Sequence, residues 1–377
     1  MIKCVALYPH EINEEYKKKV SDTIALAFKY GFNEIFTTLH LPEYSFIQQF
    51  NCFEIIANEA KKYNLELTVD LGGSYINDVL NDEEIINKIK KYNLDFIRLD
   101  YGYDMKQVKE LYEALNIQGF VINASTYSKQ EVNKIISNFK SIDENIKIRA
   151  CHNYYIRKES GLDEAFASRQ DSYFEEYNIP VYYCIPTKSC PRGPLHLGLC
   201  TIEKHRDMKL EDIFIDLLAN HNLNAFMMAD EWLKEEEFIK VETILNSYAD
   251  NDRKIMIEFF DGTSDKEKNI VLGKHMFRYD SPLSNIRSQS SRQMAEFATK
   301  IIENNTIERK KGYITIDNRL YKRYSGEMQV IIYDLDADER VNVVAKLVNE
   351  NDIYKLLNYK LGYEYTFEEE KWKLQHK

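Results

Sequence analysis

Carboxylate, imidazole and amide side chains follow several short apolar segments of the chain, and these residue types can carry out acid–base chemistry. Three of the segments end in an aspartate, at Asp70, Asp100 and Asp230. A fourth ends in His152, which Asn153 follows. Aspartate is uncommon inside strands, so its recurrence needs a reason. One reason is that each aspartate caps the following helix. The other is a shared pocket of carboxylates, which the three aspartates together with the His-Asn pair favour.

A second group of chemically active side chains lies in the segment Pro191–Arg206, which holds two prolines and two glycines. Arg192 beside Gly193 offers a phosphate group both a guanidinium fork and a closely approaching backbone N–H. Arg206 is a second cationic candidate, and Glu203 adds a carboxylate. The alternative is an exposed loop whose basic residues pair with an acidic surface. Because prolines and glycines restrict the shape of this loop, we favour the binding interpretation.

These residue types fit hydrolysis of a glycosidic bond, in which one carboxyl group is protonated as the acid and another is ionised as base or nucleophile. Crowding of carboxylates and their burial favour such a division of protonation states. We expect Asp100 and Asp230 to be the essential pair. The candidate catalytic carboxylates are Asp70, Asp100, Glu203 and Asp230. The candidate substrate-binding residues are His40, Asn123, His152, Asn153, Arg192, Gly193 and Arg206.

Other reaction classes have weaker support in the sequence. No Gly-x-Ser-x-Gly segment is present, and no lysine ends a predicted strand where a Schiff base would form. Cys151 precedes His152, but neighbours on a strand face opposite sides, so we expect Cys151 to pack in the core. There is no metal-binding His/Cys spacing and no glycine-rich dinucleotide turn, so we predict neither a metal nor a cofactor.

The segments that must position these residues alternate between β-rich runs and amphipathic helices. The runs are mostly apolar, as is typical of parallel strands covered on both faces. Eight strand–helix units in about 240 residues predict a (β/α)8 TIM-type barrel, whose active site lies at the carboxyl ends of the strands. An open doubly wound sheet is the alternative, but no Gly-x-Gly-x-x-Gly follows the first strand. The predicted strands are Lys3–Tyr8, Glu34–His40, Glu66–Leu71, Asp95–Asp100, Gln118–Asn123, Lys147–His152, Pro180–Ile185 and Ala225–Asp230.

The pattern changes after the eighth strand. A last helix is predicted over Leu233–Tyr248, and β-like runs joined by turns follow, interrupted by helices at Ser291–Glu303 and near Asp352–Leu357. These features predict a small, mostly antiparallel β-barrel. We therefore divide the chain into a catalytic barrel at residues 1–249 and a second domain at 250–377. Its predicted strands are Ile255–Phe260, Val271–Phe277, Gly312–Ile316, Met328–Tyr333 and Val341–Val348.

Two polar segments of the second domain, Ile286–Arg292 and Tyr321–Glu327, carry further basic residues. Their turn-forming residues favour structural loops. The alternative is a wall over the barrel mouth that uses Arg292 or Arg323.

The composition narrows the partners. The 377 residues include 50 Lys plus Arg and 61 Asp plus Glu, a formal net charge of -11. Such an acidic surface disfavours nucleic acid and anionic lipid as partners. The apolar start of the chain is too short for a signal peptide, and no run reaches the roughly 18 apolar residues of a membrane span, so we expect a cytoplasmic protein. The six scattered cysteines agree with a reducing compartment. A homo-oligomer is left open.

Six segments, in order along nearly the whole chain, are Ile35–Glu43, Arg98–Gly102, Asn123–Thr126, His152–Tyr155, Arg192–Arg206 and Ile314–Asn318. Together they resemble the 6-phospho-N-acetylmuramidase family. The resemblance implies a TIM-type barrel followed by a cyclophilin-like β-barrel. It also implies a cytoplasmic glycosidase that cleaves a 6-phosphorylated N-acetylmuramic acid–N-acetylglucosamine disaccharide during peptidoglycan recycling. The matching site residues are Asp100, His152, Asn153, Arg192, Glu203 and Asp230.

Two other functions compete with this one. A barrel isomerase, epimerase or lyase would use the same carboxylates as proton shuttles on a sugar phosphate. A non-catalytic carbohydrate-binding protein would bind the same ligands without turnover. Loss of one glycosidic bond from the substrate separates the hydrolase from both.

Overall fold

The computed structural model describes residues 1–295, 301–359 and 362–370. These residues form two compact units, one of residues 1–213 with 221–242, the other of residues 214–220 with the described part of 243–377. Each unit contains its own sheet. The division of function between residues 1–249 and 250–377 stays a prediction.

The first unit contains a closed barrel of eight strands in which each strand pairs in parallel with its sequence neighbour and the eighth pairs with the first. This confirms the predicted barrel fold. Every predicted strand is present, with ends within two residues of those predicted. The strands are β1 (Ile2–Ala6), β2 (Glu34–Thr38), β3 (Glu66–Leu71), β4 (Phe96–Leu99), β5 (Gly119–Asn123), β6 (Lys147–Cys151), β7 (Val181–Ile185) and β8 (Ala225–Met228).

Helices follow the strands, and side-chain caps begin many of them. Three helices, α2, α5 and α6, start with capping boxes in which the cap and the third residue satisfy each other's backbone N–H groups. The helices are α1 (Glu14–Lys29), α2 (Phe46–Lys62), α3 (Gly73–Leu80), α4 (Glu83–Tyr92), α5 (Met105–Leu115), α6 (Lys129–Ile142), α7 (Glu164–Glu175), α8 (Leu210–Asn220) and α9 (Glu235–Ala249).

The interior of the barrel is filled by side chains two residues apart along each strand. Cys4 and Ala6 on the first strand and Tyr8 just after it belong to this core, as do Met227 on the last strand and Ala229 just after it. Successive strand residues point to opposite faces, so this spacing defines which residues face into the barrel. The same period continues past the strand ends and determines which loop residues face the barrel mouth.

The second unit contains a seven-stranded sheet in the order β10-β15-β9-β14-β12-β13-β11. Its pairs are antiparallel except β15 with β9, so the sheet is mostly antiparallel, as predicted. The cyclophilin-like character of this unit stays a prediction. The elements are β9 (Lys254–Phe259), α10 (Asp265–Val271), β10 (Lys274–Met276), β11 (Asn285–Arg287), α11 (Ser291–Met294), β12 (Tyr313–Asp317), β13 (Met328–Ile331), β14 (Val341–Leu347), α12 (Asp352–Asn358) and β15 (Glu364–Glu369).

Two predictions for the second unit need correction. The strand predicted over Val271–Phe277 is shorter, because α10 extends to Val271 and only Lys274–Met276 pairs with β15. The helix predicted over Ser291–Glu303 is found only at Ser291–Met294. Residues 301–303 are not helical, and residues 296–300 lie outside the described part of the chain. Strands β11 and β15 were not predicted. β11 has only three residues, and β15 pairs with β9, which is distant in sequence.

Among the helices of the described residues, none is both long and apolar enough to cross a bilayer.

Candidate active site

A cavity of about 260 Å³ opens at the carboxyl ends of the barrel strands. This is the end at which barrel enzymes carry their active sites. It brings together five residues predicted from the sequence: His40, Asp70, Asp100, His152 and Asn153. The remaining lining residues are Phe36, Arg98, Cys151, Tyr154, Tyr155 and Met227.

One arginine joins the two aspartates of this cavity. Arg98, on β4, places Nη1 3.0 Å from Oδ1 of Asp70, and Nη2 3.1 Å from Oδ1 of Asp100. The same Nη2 donates to Oδ1 of Asn153 at 2.8 Å. Sequence reasoning did not assign Arg98 a role, although an arginine inside an apolar strand, two residues before Asp100, is on the inward face. One buried guanidinium thus contacts the carboxyl groups of both aspartates.

The two carboxylate oxygens of Asp100 differ in their hydrogen bonds to the described residues. Its Oδ1 accepts hydrogen bonds from Arg98 and from Nδ2 of Asn123, the latter at 3.0 Å. Asn123 also donates to Asn153 at 2.9 Å. No described residue hydrogen-bonds to Oδ2 of Asp100, and the side chain is 25% exposed. A carboxylate held in this way is fixed in position while its second oxygen faces the cavity.

Glycine brings the loops that carry the two aspartates together. A Cβ on Gly73 would lie 1.9 Å from the carbonyl oxygen of Gly102, so only glycine fits this approach. The Gly73 N–H donates to the carbonyl of Tyr101 at 3.0 Å. The loop after Asp70 is thus fixed against the loop after Asp100.

His40 lies on the other side of Asp70. Its Nδ1 is 3.6 Å from Oδ2 of Asp70 and 3.2 Å from Oγ1 of Thr38. The backbone of the following residue, Leu41, is held by Gln49, whose side chain both accepts from its N–H at 2.7 Å and donates to its carbonyl at 3.0 Å. Asp70 therefore lies between a guanidinium and an imidazole.

His152 is buried and orients the neighbouring backbone. Its Nε2 is 2.9 Å from Oδ1 of Asp171, and its Nδ1 is 3.1 Å from Oγ of Ser125. That hydroxyl accepts the N–H of Asn153 at 2.9 Å. Burial acts to raise the pKa of Asp171, but hydrogen bonds from His152 and His221 lower it to about 2. Asp171 lies on α7 and was missed, because no local pattern indicates which strand end a helix residue contacts.

The guanidinium of Arg192 stacks on an aromatic ring. Its Cζ lies 3.6 Å from the centroid of the Tyr8 ring. That ring packs edge-on against Tyr154 of the cavity, with 6.4 Å between centroids. No residue in the described ranges forms a hydrogen bond or ion pair with the Arg192 side chain. Gly193 follows it on a partly exposed stretch of loop. These donors are therefore available to a ligand.

Asp230 lies beneath this loop and not in the cavity. It is 0% exposed, and its carboxylate accepts the N–H groups of Arg192 at 2.8 Å, Thr187 at 2.8 Å and Leu199 at 3.3 Å. Burial raises the pKa of Asp230, against the effect of these three hydrogen bonds. β8 ends at Met228, two residues before Asp230, so strand alternation does not determine the direction of this side chain. Its geometry is that of a residue that shapes the loop holding Arg192.

Glu203 and Arg206 are brought together with each other, outside the cavity lining. Arg206 is buried, and its Nε and Nη2 each lie 2.8 Å from Glu203. Its remaining donors bind the carbonyls of Gly198 at 2.7 Å and Arg157 at 2.9 Å. The hydrogen bond from Arg206 lowers the pKa of Glu203 to about 2. The pair fixes the loop and leaves Arg206 without donors for a ligand.

None of the three predicted aspartates caps a helix. The cap of α3 is Gly72 and that of α5 is Asp104, while α9 begins at Glu235, well beyond Asp230. The capping alternative therefore does not explain why aspartate recurs at the strand ends.

A closed (β/α)8 barrel with paired carboxylates at its mouth defines a class of barrel enzymes to which many glycosidases belong. Within that class, the chain belongs to the 6-phospho-N-acetylmuramidase family. The N-terminal model of that family matches residues 4–243, and its C-terminal model matches residues 253–367. The protein is therefore a glycosidase, and the resemblance seen in the sequence is confirmed.

Two solved structures are similar over nearly their whole lengths. An uncharacterized Bacillus cereus protein has 23% sequence identity and a TM-score of 0.64, with 97% of this chain and 99% of that one covered. A conserved Enterococcus faecalis protein of unknown function has 26% identity and a TM-score of 0.59, with 98% and 97% covered. No curated protein matches the chain significantly.

Proposed function

We propose that this glycosidase hydrolyses a 6-phosphorylated N-acetylmuramic acid–N-acetylglucosamine disaccharide during peptidoglycan recycling in the cytoplasm. The observation that carries the proposal is the pair of carboxylates, Asp70 and Asp100, held on Arg98 at the barrel mouth. Glycoside hydrolysis requires two carboxyl groups with different protonation states around one bond. The family assignment supports a phosphorylated muramic acid as the sugar.

Asp100 is proposed as the ionised group. Donors from Arg98 and Asn123 stabilise its negative charge, and its open Oδ2 faces the cavity. In an inverting reaction Oδ2 would take a proton from the water that attacks the anomeric carbon. In a retaining reaction Oδ2 would itself attack that carbon, and water would then hydrolyse the glycosyl ester.

Asp70 is proposed as the proton donor, together with His40. The two side chains lie 3.6 Å apart, beyond hydrogen-bond distance, so either of them can hold the proton and present it to the cavity. That proton passes to the glycosidic oxygen as its bond to the anomeric carbon breaks, and the leaving sugar departs as an alcohol. The proton lost by attacking water restores the balance at the end of the cycle. The remaining predicted carboxylates, Asp230 and Glu203, are proposed to shape the loop rather than to transfer protons.

Arg192 is proposed to bind the phosphate. Of the two arginines predicted for this task, Arg192 has unused donors, whereas Arg206 donates to Glu203 and to backbone carbonyls. A guanidinium fork suits a phosphate monoester, since two parallel N–H groups meet two oxygens. The backbone N–H of Gly193 is a neighbouring donor. Tyr154, which lines the cavity, supplies an aromatic wall near the sugar.

Incubation with the disaccharide in phosphorylated and unphosphorylated forms, followed by mass spectrometry, tests the proposal. We expect two monosaccharide products from the phosphorylated form. A product of unchanged mass would instead favour an isomerase or epimerase. Binding without any turnover would favour a carbohydrate-binding protein. The anomeric configuration of the first product, followed by NMR, decides between inversion and retention.

A further inference from the structure

A larger cavity, of about 640 Å³, lies on the second unit, where the proposed hydrolysis assigns no residue. Its lining includes Arg278, Tyr279, Asp280, Gln289 and Arg292. Polar and charged side chains line it together with the apolar Met276 and Phe277, and Tyr279 is 74% exposed. The cavity is large enough for a ligand of sugar size.

Three arginines converge on one buried carboxylate at this cavity. Glu327 is 3% exposed, and both of its carboxylate oxygens accept hydrogen bonds from Arg287, Oε1 from Nε at 2.5 Å and Oε2 from Nη2 at 3.0 Å. Arg278 approaches the same carboxylate at 3.4 Å and Arg292 at 4.0 Å. A buried glutamate that contacts three guanidinium groups holds them in place, so two of them present a fixed edge to the cavity.

The cluster keeps a positive charge after its internal ion pairs are counted. Asp280 pairs with Arg278 at 2.6 Å and lies 3.7 Å from Arg287. Three arginines, Arg278, Arg287 and Arg292, thus face two carboxylates, Glu327 and Asp280, in a chain whose net charge is -11.

The neighbouring acidic group adds little opposing charge. Burial, and then the charge of Glu327, raise the pKa of Asp317 to about 8. Asp317 is therefore mostly protonated at neutral pH. A local excess of fixed cations in an acidic protein attracts a small anion.

We propose that this cavity binds the oxyanion of a small polar ligand, either a phosphate monoester or a carboxylate. Arg278 and Arg292 contact the anion, and the exposed ring of Tyr279 lies against the body of the ligand. The cavity is built from residues of the second unit alone, so the proposal holds whether or not the barrel performs the hydrolysis proposed above.

Calorimetric titration of the full-length chain tests this site. The Arg192→Ala variant is the background, because it removes the anion site proposed in the barrel. Inorganic phosphate, glucosamine 6-phosphate and lactate are titrated separately, and the tighter anion shows whether the source is a phosphate or a carboxylate. We expect saturable binding of at least one, weakened about tenfold or more by Arg278→Ala or by Arg292→Ala. The matched control is Arg340→Ala, an exposed arginine outside the cavity lining, which should leave the Kd unchanged.

Two further variants keep the test decisive if an alanine substitution disturbs folding. Arg278→Lys retains the charge but not the fork, and should weaken binding with an unchanged Tm. Tyr279→Ala removes an exposed ring, so it should weaken glucosamine 6-phosphate while inorganic phosphate binds as before. Absence of saturable binding of all three anions, or equal affinity in the arginine variants and the Arg340→Ala control, would overturn the proposal.

Discussion

The guanidinium of Arg192 lies over the ring of Tyr8, 3.6 Å from its centroid. Tyr8 belongs to the barrel core and donates its hydroxyl hydrogen to the carbonyl of Ala229 at 2.8 Å. The ring thus cannot move easily, and it holds a cation whose N–H groups remain available. Asp230 fixes the backbone of the same arginine at 2.8 Å. Tyr8 thus positions the side chain of Arg192 and Asp230 positions its backbone, so Arg192 is preorganised to bind an anion.

Replacement of Arg192 by alanine should therefore affect only phosphorylated substrates. The loss of a charge-assisted contact of about 2 kcal/mol corresponds to a fall of about thirtyfold in kcat/KM. Steady-state kinetics on the phosphorylated and unphosphorylated disaccharides measures this fall in kcat/KM. Arg169→Ala, which removes an exposed arginine on α7, is the matched control. An equal loss on both substrates would show that Arg192 does not contact the phosphate.

Asp100→Asn should lower the catalytic rate, whereas Asp230→Asn should lower the stability of the fold. Asp100→Asn should keep the fold and lower kcat by about a thousandfold, because its open oxygen contacts the reacting atoms. Asp230→Asn places an amide donor against backbone N–H groups and should cost about 1–3 kcal/mol of unfolding free energy.

Urea unfolding and kcat, measured on both variants, separate the two effects. Asp230→Asn with normal stability and a thousandfold loss in kcat would return Asp230 to the catalytic pair. Near-normal kcat in Asp100→Asn would remove Asp100 from it.

The Glu203–Arg206 pair should make stability depend on pH in the acid range. The folded-state pKa of Glu203, about 2, lies below the ordinary value of 4.5. The stabilisation is therefore complete above pH 4.5 and is lost as the pH falls toward 2. Since the carboxylate is 31% exposed, we expect only about 1–2 kcal/mol.

Urea unfolding of the wild type and of Glu203→Gln at pH 7 and pH 3 tests this expectation. The difference in unfolding free energy between them should be larger at pH 7. Glu11→Gln, which changes an exposed glutamate that forms no ion pair with the described residues, is the control for a general charge effect. A difference that does not change with pH would contradict a stabilising role for the ionised pair.

Gly73→Ala should disturb the two catalytic loops. The new Cβ would meet the Gly102 carbonyl at 1.9 Å, so the backbone must shift at a cost of about 1–3 kcal/mol. Because the shift separates the loops that follow Asp70 and Asp100, kcat should fall by more than the loss of folded protein explains. Thermal unfolding and kinetics on folded protein test this, with Asp78→Ala on the same helix as control. Full activity would mean that the approach of the two loops does not determine the site.

The sequence by itself determined the barrel, its eight strands and most of the residues at its mouth. Strand period, apolar content and repetition along the chain are local features, and parallel strands in a closed barrel bring their carboxyl ends to one edge. Asp70, Asp100, His152 and Asn153 therefore meet in one cavity as expected. The helix predicted at Ser291–Glu303 shows the limit of local patterns, because only Ser291–Met294 of its described residues are helical.

Only the tertiary structure decided which of these groups faces a ligand. Asp230 and Asp100 look alike in sequence, but the Asp230 carboxylate is buried beneath a loop and accepts backbone N–H groups of that loop. Arg192 and Arg206 are both cationic residues of one loop, but the guanidinium of Arg206 is paired with the carboxylate of Glu203, three residues earlier in the sequence. The bridge by Arg98 and the contact of Asp171 with His152 join distant parts of the chain. Which side chain faces a ligand therefore depends on contacts between residues that are distant in sequence, and no local pattern contains those contacts.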